Sequence, residues 1–196
     1  VLRPPAPLVL ASASPRRLDL LRQAGVEPAV EPADVDETSP PGATPESLAV
    51  GLARTKAQEV AAGHAGEDLV VLGADTVVVV DGRILGKPTD ADDAARMLSA
   101  LSGRTHHVVT GVALVDARTG RTVDGLARTD VRMRHLDAEE VAAYVATGEP
   151  LDKAGAYGIQ GLAAVFVEGI EGDYTNVVGL PLPLVDVLLR QLDGPA

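Results

Sequence analysis

Ser12, Ser14, Pro15, Arg16 and Arg17 set hydroxyls, a proline and two adjacent guanidiniums where an apolar run meets a helix. Pro7–Ala11 reads as a buried strand, Ser14 as an N-cap and Pro15 as the first helical residue. Leu18 and Leu21 begin an apolar stripe that Gly25 ends. A helix start presents backbone N–H groups, and Arg16 and Arg17 add fixed positive charge beside them. That combination suits a phosphate; a capped surface helix with solvated arginines is the plainer reading.

A second candidate is Asp75, followed by Thr76, inside the apolar run Leu69–Val80. A carboxylate there needs a cation, a metal or hydrogen bonds to offset its lost hydration. The alternative is an Asp at a bulge after Gly73. Leu48, Leu52 and Lys56 share one face of a helix expected from Pro45 to about Ala62, so Lys56 extends an inward stripe, by snorkelling or by serving a site. Gly82–Pro88 superficially matches a phosphate-binding loop, but the spacing is a residue short and Pro88 replaces the required hydroxyl. Lys87 therefore stands alone, after a hairpin turning at Asp81-Gly82, able to reach Asp75 or a phosphate. The run Asp152–Gly161 sets Lys153, Tyr157 and Gln160 among glycines; Gln160 carries both the donor and the acceptor needed to read a base edge. Gly172–Pro181 mixes turn residues with a short apolar run and is a candidate pocket wall. His106 and His107 are adjacent, face opposite sides of a strand and read as structural.

These groups need a scaffold. With 196 residues the chain suits one sizeable α/β domain over 1–196. Its few aromatics, Tyr144, Tyr157, Tyr174 and Phe166, leave the core to Val, Leu, Ala and Ile. Helices are expected near 15–24, 45–62, 90–101, 138–147 and 183–192, the fourth opened by an Asp137-x-x-Glu140 capping box. Strands are expected at Val108–Val115, Ala127–Met133 and Ala163–Val167, and a loop at Glu31–Pro45. The alternation implies a mixed, twisted sheet flanked by helices, in two lobes with a central cleft.

Composition narrows the function. A net charge of −11 opposes general nucleic-acid binding but not a nucleotide substrate held by gathered cations. The absence of cysteine removes disulfides, thiolate catalysis and zinc–thiolate sites. No apolar run is long enough for a membrane span and no secretory pattern opens the chain, so a cytoplasmic location is expected. A homodimer is compatible with the sequence.

Taken in order, Ser12-x-Ser14-Pro15-Arg16-Arg17, Asp36-Glu37, Ala53-x-x-Lys56-Ala57, Gly73–Val78, Gly86-Lys87-Pro88, Leu151–Gly161 and Val178–Leu182 resemble the Maf family from about residue 8 to 190. The resemblance implies a nucleoside triphosphate pyrophosphatase with a fold related to the inosine triphosphate pyrophosphatases. It implies Asp75 as the catalytic carboxylate, and Ser12, Arg16, Arg17, Glu37, Lys56 and Lys87 around the phosphates. Arg16, Thr76 and Gln160 match positions tied to substrate choice. A divalent cation, Mg²⁺ or Mn²⁺, is implied, with Glu37 as a carboxylate for it; Asp75 either takes the proton from the attacking water or is the second carboxylate on the metal, two roles the sequence leaves open. The segment Ala156–Gly161 resembles the branch acting on dTTP and UTP. Action on other or modified nucleotides such as 7-methyl-GTP, and a non-catalytic role in septum formation, are the alternatives.

Overall fold

A computed structural model describes residues 1–40 and 42–194. Pro41, within the expected loop, and Pro195 and Ala196, at the end of the expected domain, lie outside the described residues.

The short strand β1 (Leu8–Leu10) is buried throughout and leads into α1 (Pro15–Gln23). β2 (Ala29–Val30) returns beside it, and α2 (Pro45–Gly63) crosses to β3 (Val70–Val80). β1 pairs in parallel with both β2 and β3, as helical crossovers require. β3 is almost wholly buried, so it reads as a continuous apolar run instead of an alternating one. Asp81 and Gly82, both at positive φ, turn it into the antiparallel β4 (Arg83–Leu85). Then follow α3 (Ala91–Leu101), β5 (Thr105–Asp116), β6 (Thr122–Met133) and α4 (Ala138–Ala146). After three short 3₁₀ turns come β7 (Val167–Glu171), α5 (Tyr174–Val178) and α6 (Leu182–Asp193). The mixed sheet runs β2-β1-β3-β5-β6-β7, with β4 beside β3. Among the described residues no helix is long and apolar enough to cross a membrane.

The chain divides into two compact units, with β3, β5 and β6 contributing residues to both. The first comprises 1–75, 110–127 and the segment from Gly179 on. Its core joins Val9, Val71, Ala113 and Val115 to the small face of α2, where Ala53, Ala57 and Val60 are buried. Glycines allow this close seating. A Cβ on Gly73 would lie 2.2 Å from the Ala53 carbonyl, and one on Gly111 would lie 2.3 Å from that of Ala49. The second unit, 76–109 and 128–178, packs Val78, Leu98, Leu101, Val131 and Met133 around Tyr144, Tyr157 and Phe166.

The capping box forms at α4: Asp137 accepts from the Glu140 N–H while the Glu140 carboxylate accepts from the Asp137 N–H. Other expectations are met in part or need correcting. Ser14 occupies the N-cap position of α1 but its hydroxyl makes no capping hydrogen bond; the Ser14 N–H instead donates to Ser12 Oγ at 3.3 Å. The expected strand Ala163–Val167 is a 3₁₀ turn over Leu162–Phe166, with β7 starting at Val167. Ala163 and Phe166, three apart, are the buried pair, which is the 3₁₀ period and not the strand's. β6 starts at Thr122, ahead of the expected Ala127. Tyr174–Val178, expected as turn residues, is a short helix whose Thr175 N–H donates to the Asp173 carboxylate.

Candidate active site

Asp75 ends the first unit's part of β3 and is 8% exposed. Because Gly73 lets α2 sit against the strand, Lys56, midway along α2, reaches across. Its Nζ donates to Asp75 Oδ1 at 2.8 Å. The same ammonium lies 2.5 Å from Glu37 Oε1. Glu37 belongs to the irregular stretch before α2, where the Thr38 N–H donates to Asp36 Oδ1 at 2.8 Å. This Asx turn has Glu37 as its middle residue. Asp75 and Lys56 are both buried, whereas Glu37 is half in solvent, so one carboxylate of the triad stays open to water.

Arg17 stands beside this triad. Its Nη1 donates to Ser12 Oγ at 3.0 Å and its Nε to the Gly179 carbonyl at 2.9 Å. Strand end, helix start and the bend before α6 thus meet on one guanidinium. Burial lowers the Arg17 pKa, against the pull of Asp75 and Glu37, yet a guanidinium stays charged in any protein. Burial pushes the Asp75 carboxyl above its ordinary range. Lys56 and Arg17 oppose that shift and Glu37 adds to it, with burial the largest influence. A carboxylate desolvated in this way is more basic than one in water.

The structure brings Ser12, Arg17, Glu37, Lys56 and Asp75 into one cluster within the first unit. Arg16, half-buried on the first turn of α1, adds like charge beside Arg17. Thr76 follows Asp75 on β3 and is half-buried. Lys87 and Gln160 belong to the second unit and are exposed. Lys87 lies between β4 and α3, next to Gly86, whose carbonyl accepts from the Gly155 N–H at 3.0 Å. Lys153, singled out with Gln160, is instead a local tie: its Nζ donates to the Glu149 carbonyl and to Asp152 Oδ1, both at 2.7 Å. The Gly179 carbonyl had no role assigned from sequence, because every residue carries that group and only the fold aims it. Gly73 carried a signal, since a glycine inside an apolar strand marks close approach of another backbone.

Two comparisons bear on this arrangement. The family model described as Maf-like protein matches residues 7–192, so the chain belongs to the Maf family. Its relatives include a dTTP/UTP pyrophosphatase of Moorella thermoacetica, 57% identical over 186 residues that cover 93% of each chain. One of Thermococcus gammatolerans is 52% identical over 178 residues, covering 91% of this chain and 92% of its own. One of Bacillus cytotoxicus is 50% identical over 188 residues and 96% of both chains.

Proposed function

We propose that this protein hydrolyses dTTP and UTP between the α and β phosphates, releasing a nucleoside monophosphate and pyrophosphate. The observation that carries the reading is its near-full-length likeness to proteins named for that activity. The single family match over 7–192 supports treating the chain as one Maf-like domain. A cytoplasmic location accords with this substrate class.

The cluster supplies the chemistry. The attacking water adds to the α phosphorus and gives its proton to Asp75. The Pα–O bond to the β phosphate breaks, and pyrophosphate leaves with the bonding electrons. A raised carboxyl pKa makes Asp75 the better base for that transfer. Lys56, Arg16, Arg17 and Lys87 offset the triphosphate charge and the charge that develops on the leaving group. Ser12 holds the Arg17 guanidinium in place through its hydroxyl. Thr76 and Gln160 read the base.

A divalent metal fits this donor set in one specific way. Glu37 and Asp75 offer hard oxygens around a single cation, Lys56 Nζ. Among the described residues there is no cluster of three or more His, Cys, Asp or Glu able to cage a metal. Two carboxylates completed by substrate phosphates and water are the usual setting for Mg²⁺ or Mn²⁺. Glu37 would hold the ion, with Asp75 beside it as the second carboxylate in the alternative to its role as base. When bound it screens phosphate charge and lowers the pKa of a bound water.

The test is pyrophosphate release from dTTP, UTP, CTP, GTP and 7-methyl-GTP, with and without Mg²⁺. Fast turnover of dTTP and UTP that needs the metal is expected. Equal efficiency on CTP, or a preference for 7-methyl-GTP, would overturn the substrate assignment. Binding without turnover of any nucleotide would point to a non-catalytic regulator.

A further inference from the structure

The second unit holds a buried polar pair that the proposed chemistry does not use. His106 on β5 is fully buried, and its Nε2 lies 2.7 Å from the Tyr157 hydroxyl, with the rings edge to face at 5.3 Å. Among the described residues His106 Nδ1 has no hydrogen-bond partner, so this contact is the ring's one polar anchor. Burial pushes the His106 pKa down to about 4 and raises that of Tyr157, so both are neutral at physiological pH. A leucine or phenylalanine pair would fill the same apolar cluster without desolvating polar atoms. What the polar pair adds is a fixed geometry.

Tyr157 is anchored by this pair between two constrained stretches of chain. Before it, Gly155 and Ala156 both have positive φ, at 69° and 60°, and for an alanine that conformation is strained. Gly155 is irreplaceable there, since a Cβ would meet Val78 at 2.9 Å. After Tyr157 the Gly161 N–H donates to the Gly158 carbonyl at 3.0 Å, closing a turn with Gln160 at its third position. The far side of that turn is clamped as well. Glu149 accepts from the Tyr144 hydroxyl on one oxygen and from the Leu162 N–H on the other, each at 3.0 Å. Gln160 is itself exposed, so its own side chain does not fix the turn.

We propose that His106–Tyr157 and Glu149 are positioning residues that hold the Gly158–Gly161 turn and thereby set the base selectivity exercised by Gln160. The inference rests on the reading of Gln160 as the base-recognising residue. An amide discriminates between a uracil-type and a cytosine-type edge only when held still, because a swinging amide can present either its donor or its acceptor.

The experiment compares kcat/KM for dTTP and CTP, with thermal unfolding, in the wild type and in Tyr157→Phe, His106→Leu, His106→Gln and Glu149→Ala. Tyr157→Phe and His106→Leu remove the hydrogen bond; each is expected to lower the dTTP-to-CTP ratio by about tenfold, chiefly through a higher KM for dTTP. His106→Gln supplies an amide that can reach the Tyr157 hydroxyl, and this variant is expected to retain most of the ratio. Glu149→Ala, at a half-buried position where folding is least at risk, is expected to lower the ratio as well. A merely structural role would lower the unfolding temperature and leave the ratio alone. A ratio within twofold of wild type in Tyr157→Phe and Glu149→Ala would overturn the inference; if Tyr157→Phe does not fold, Glu149→Ala decides. A wild type without dTTP preference would overturn the substrate reading and this inference together. A preference that survives every variant would overturn this inference alone.

Discussion

Replacing Asp75 by asparagine separates what the site does from what it costs the fold. The amide keeps the shape, and its Oδ1 can still accept from Lys56 Nζ at 2.8 Å, but it loses the charge. At an effective dielectric of about 20, unit charges at that separation attract by about 6 kcal/mol. Against this stands desolvation of a carboxylate that is 8% exposed, a cost of several kcal/mol per ion. The direction of the Asp75 shift decides between them: its carboxyl is pushed up, with burial the leading cause, so desolvation together with the Glu37 charge outweighs Lys56 and Arg17. The folded protein therefore favours the neutral carboxyl over the charged one more than the unfolded chain does, and Asp75→Asn, which is neutral, is expected to leave stability unchanged or raise it. The native state binds the Asp75 proton more tightly than the unfolded chain does. That stabilisation is complete below the ordinary value of 3.8 and is lost as pH rises through the raised native value. Asparagine cannot titrate, so the variant's advantage in urea unfolding should grow from acid toward neutral pH. Pyrophosphate release should meanwhile fall by about 100-fold or more, the lower end for loss of a general base. Near-normal turnover would refute the catalytic role. A variant destabilised by about 3 kcal/mol at pH 7, the cost of breaking a buried ion pair, would refute the electrostatic reasoning.

Further outcomes follow from the same geometry. Lys56→Met leaves Asp75 without its nearest cation; stability should drop by about 3 kcal/mol, and the acid limb of the rate–pH profile should move to higher pH. Gly73→Ala places a Cβ 2.2 Å from the Ala53 carbonyl, so α2 must move; unfolding should ease by about 2 kcal/mol, with turnover falling as Lys56 shifts. Wild-type turnover in that variant would show that the seating of α2 does not control the site. Arg134 and the Asp137 N–H hold the Glu140 carboxyl down to about 2 in the native state. Its stabilisation is present above the ordinary 4.5 and lost as pH falls toward 2, so Glu140→Gln should flatten acid unfolding across that window.

The cluster was legible from sequence to the degree that its members broke local rules. A lysine continuing an apolar helical stripe and an aspartate inside an apolar strand each contradict the pattern around them, and the structure joins those two at 2.8 Å. Glu37 broke no rule. It is an acidic residue in an exposed loop, and only its likeness to the Maf pattern singled it out, since the lysine it meets is remote in sequence. The local clue was Asp36, whose Asx turn orients the loop around Glu37. Ser14 was legible as the N-cap position of α1, but not that its hydroxyl makes no capping hydrogen bond; nor was Ser12 legible as an acceptor, whose Oγ takes both the Ser14 N–H and Arg17 Nη1. The turn over Leu162–Phe166 misled for a different reason. A short apolar run carries no unambiguous period, and burial at Ala163 and Phe166 becomes readable only once a core exists to bury them against.

Gly73 links these cases. Its place in an apolar strand announced a close approach but not what approaches. The answer is the backbone of α2 at Ala53 and Ala57, and that approach sets the distance Lys56 must span to Asp75. The residue that admits α2 close to the strand carrying Asp75 has no functional group of its own. Its contribution is the absence of a Cβ, and a sequence reading that follows only side-chain chemistry passes over it.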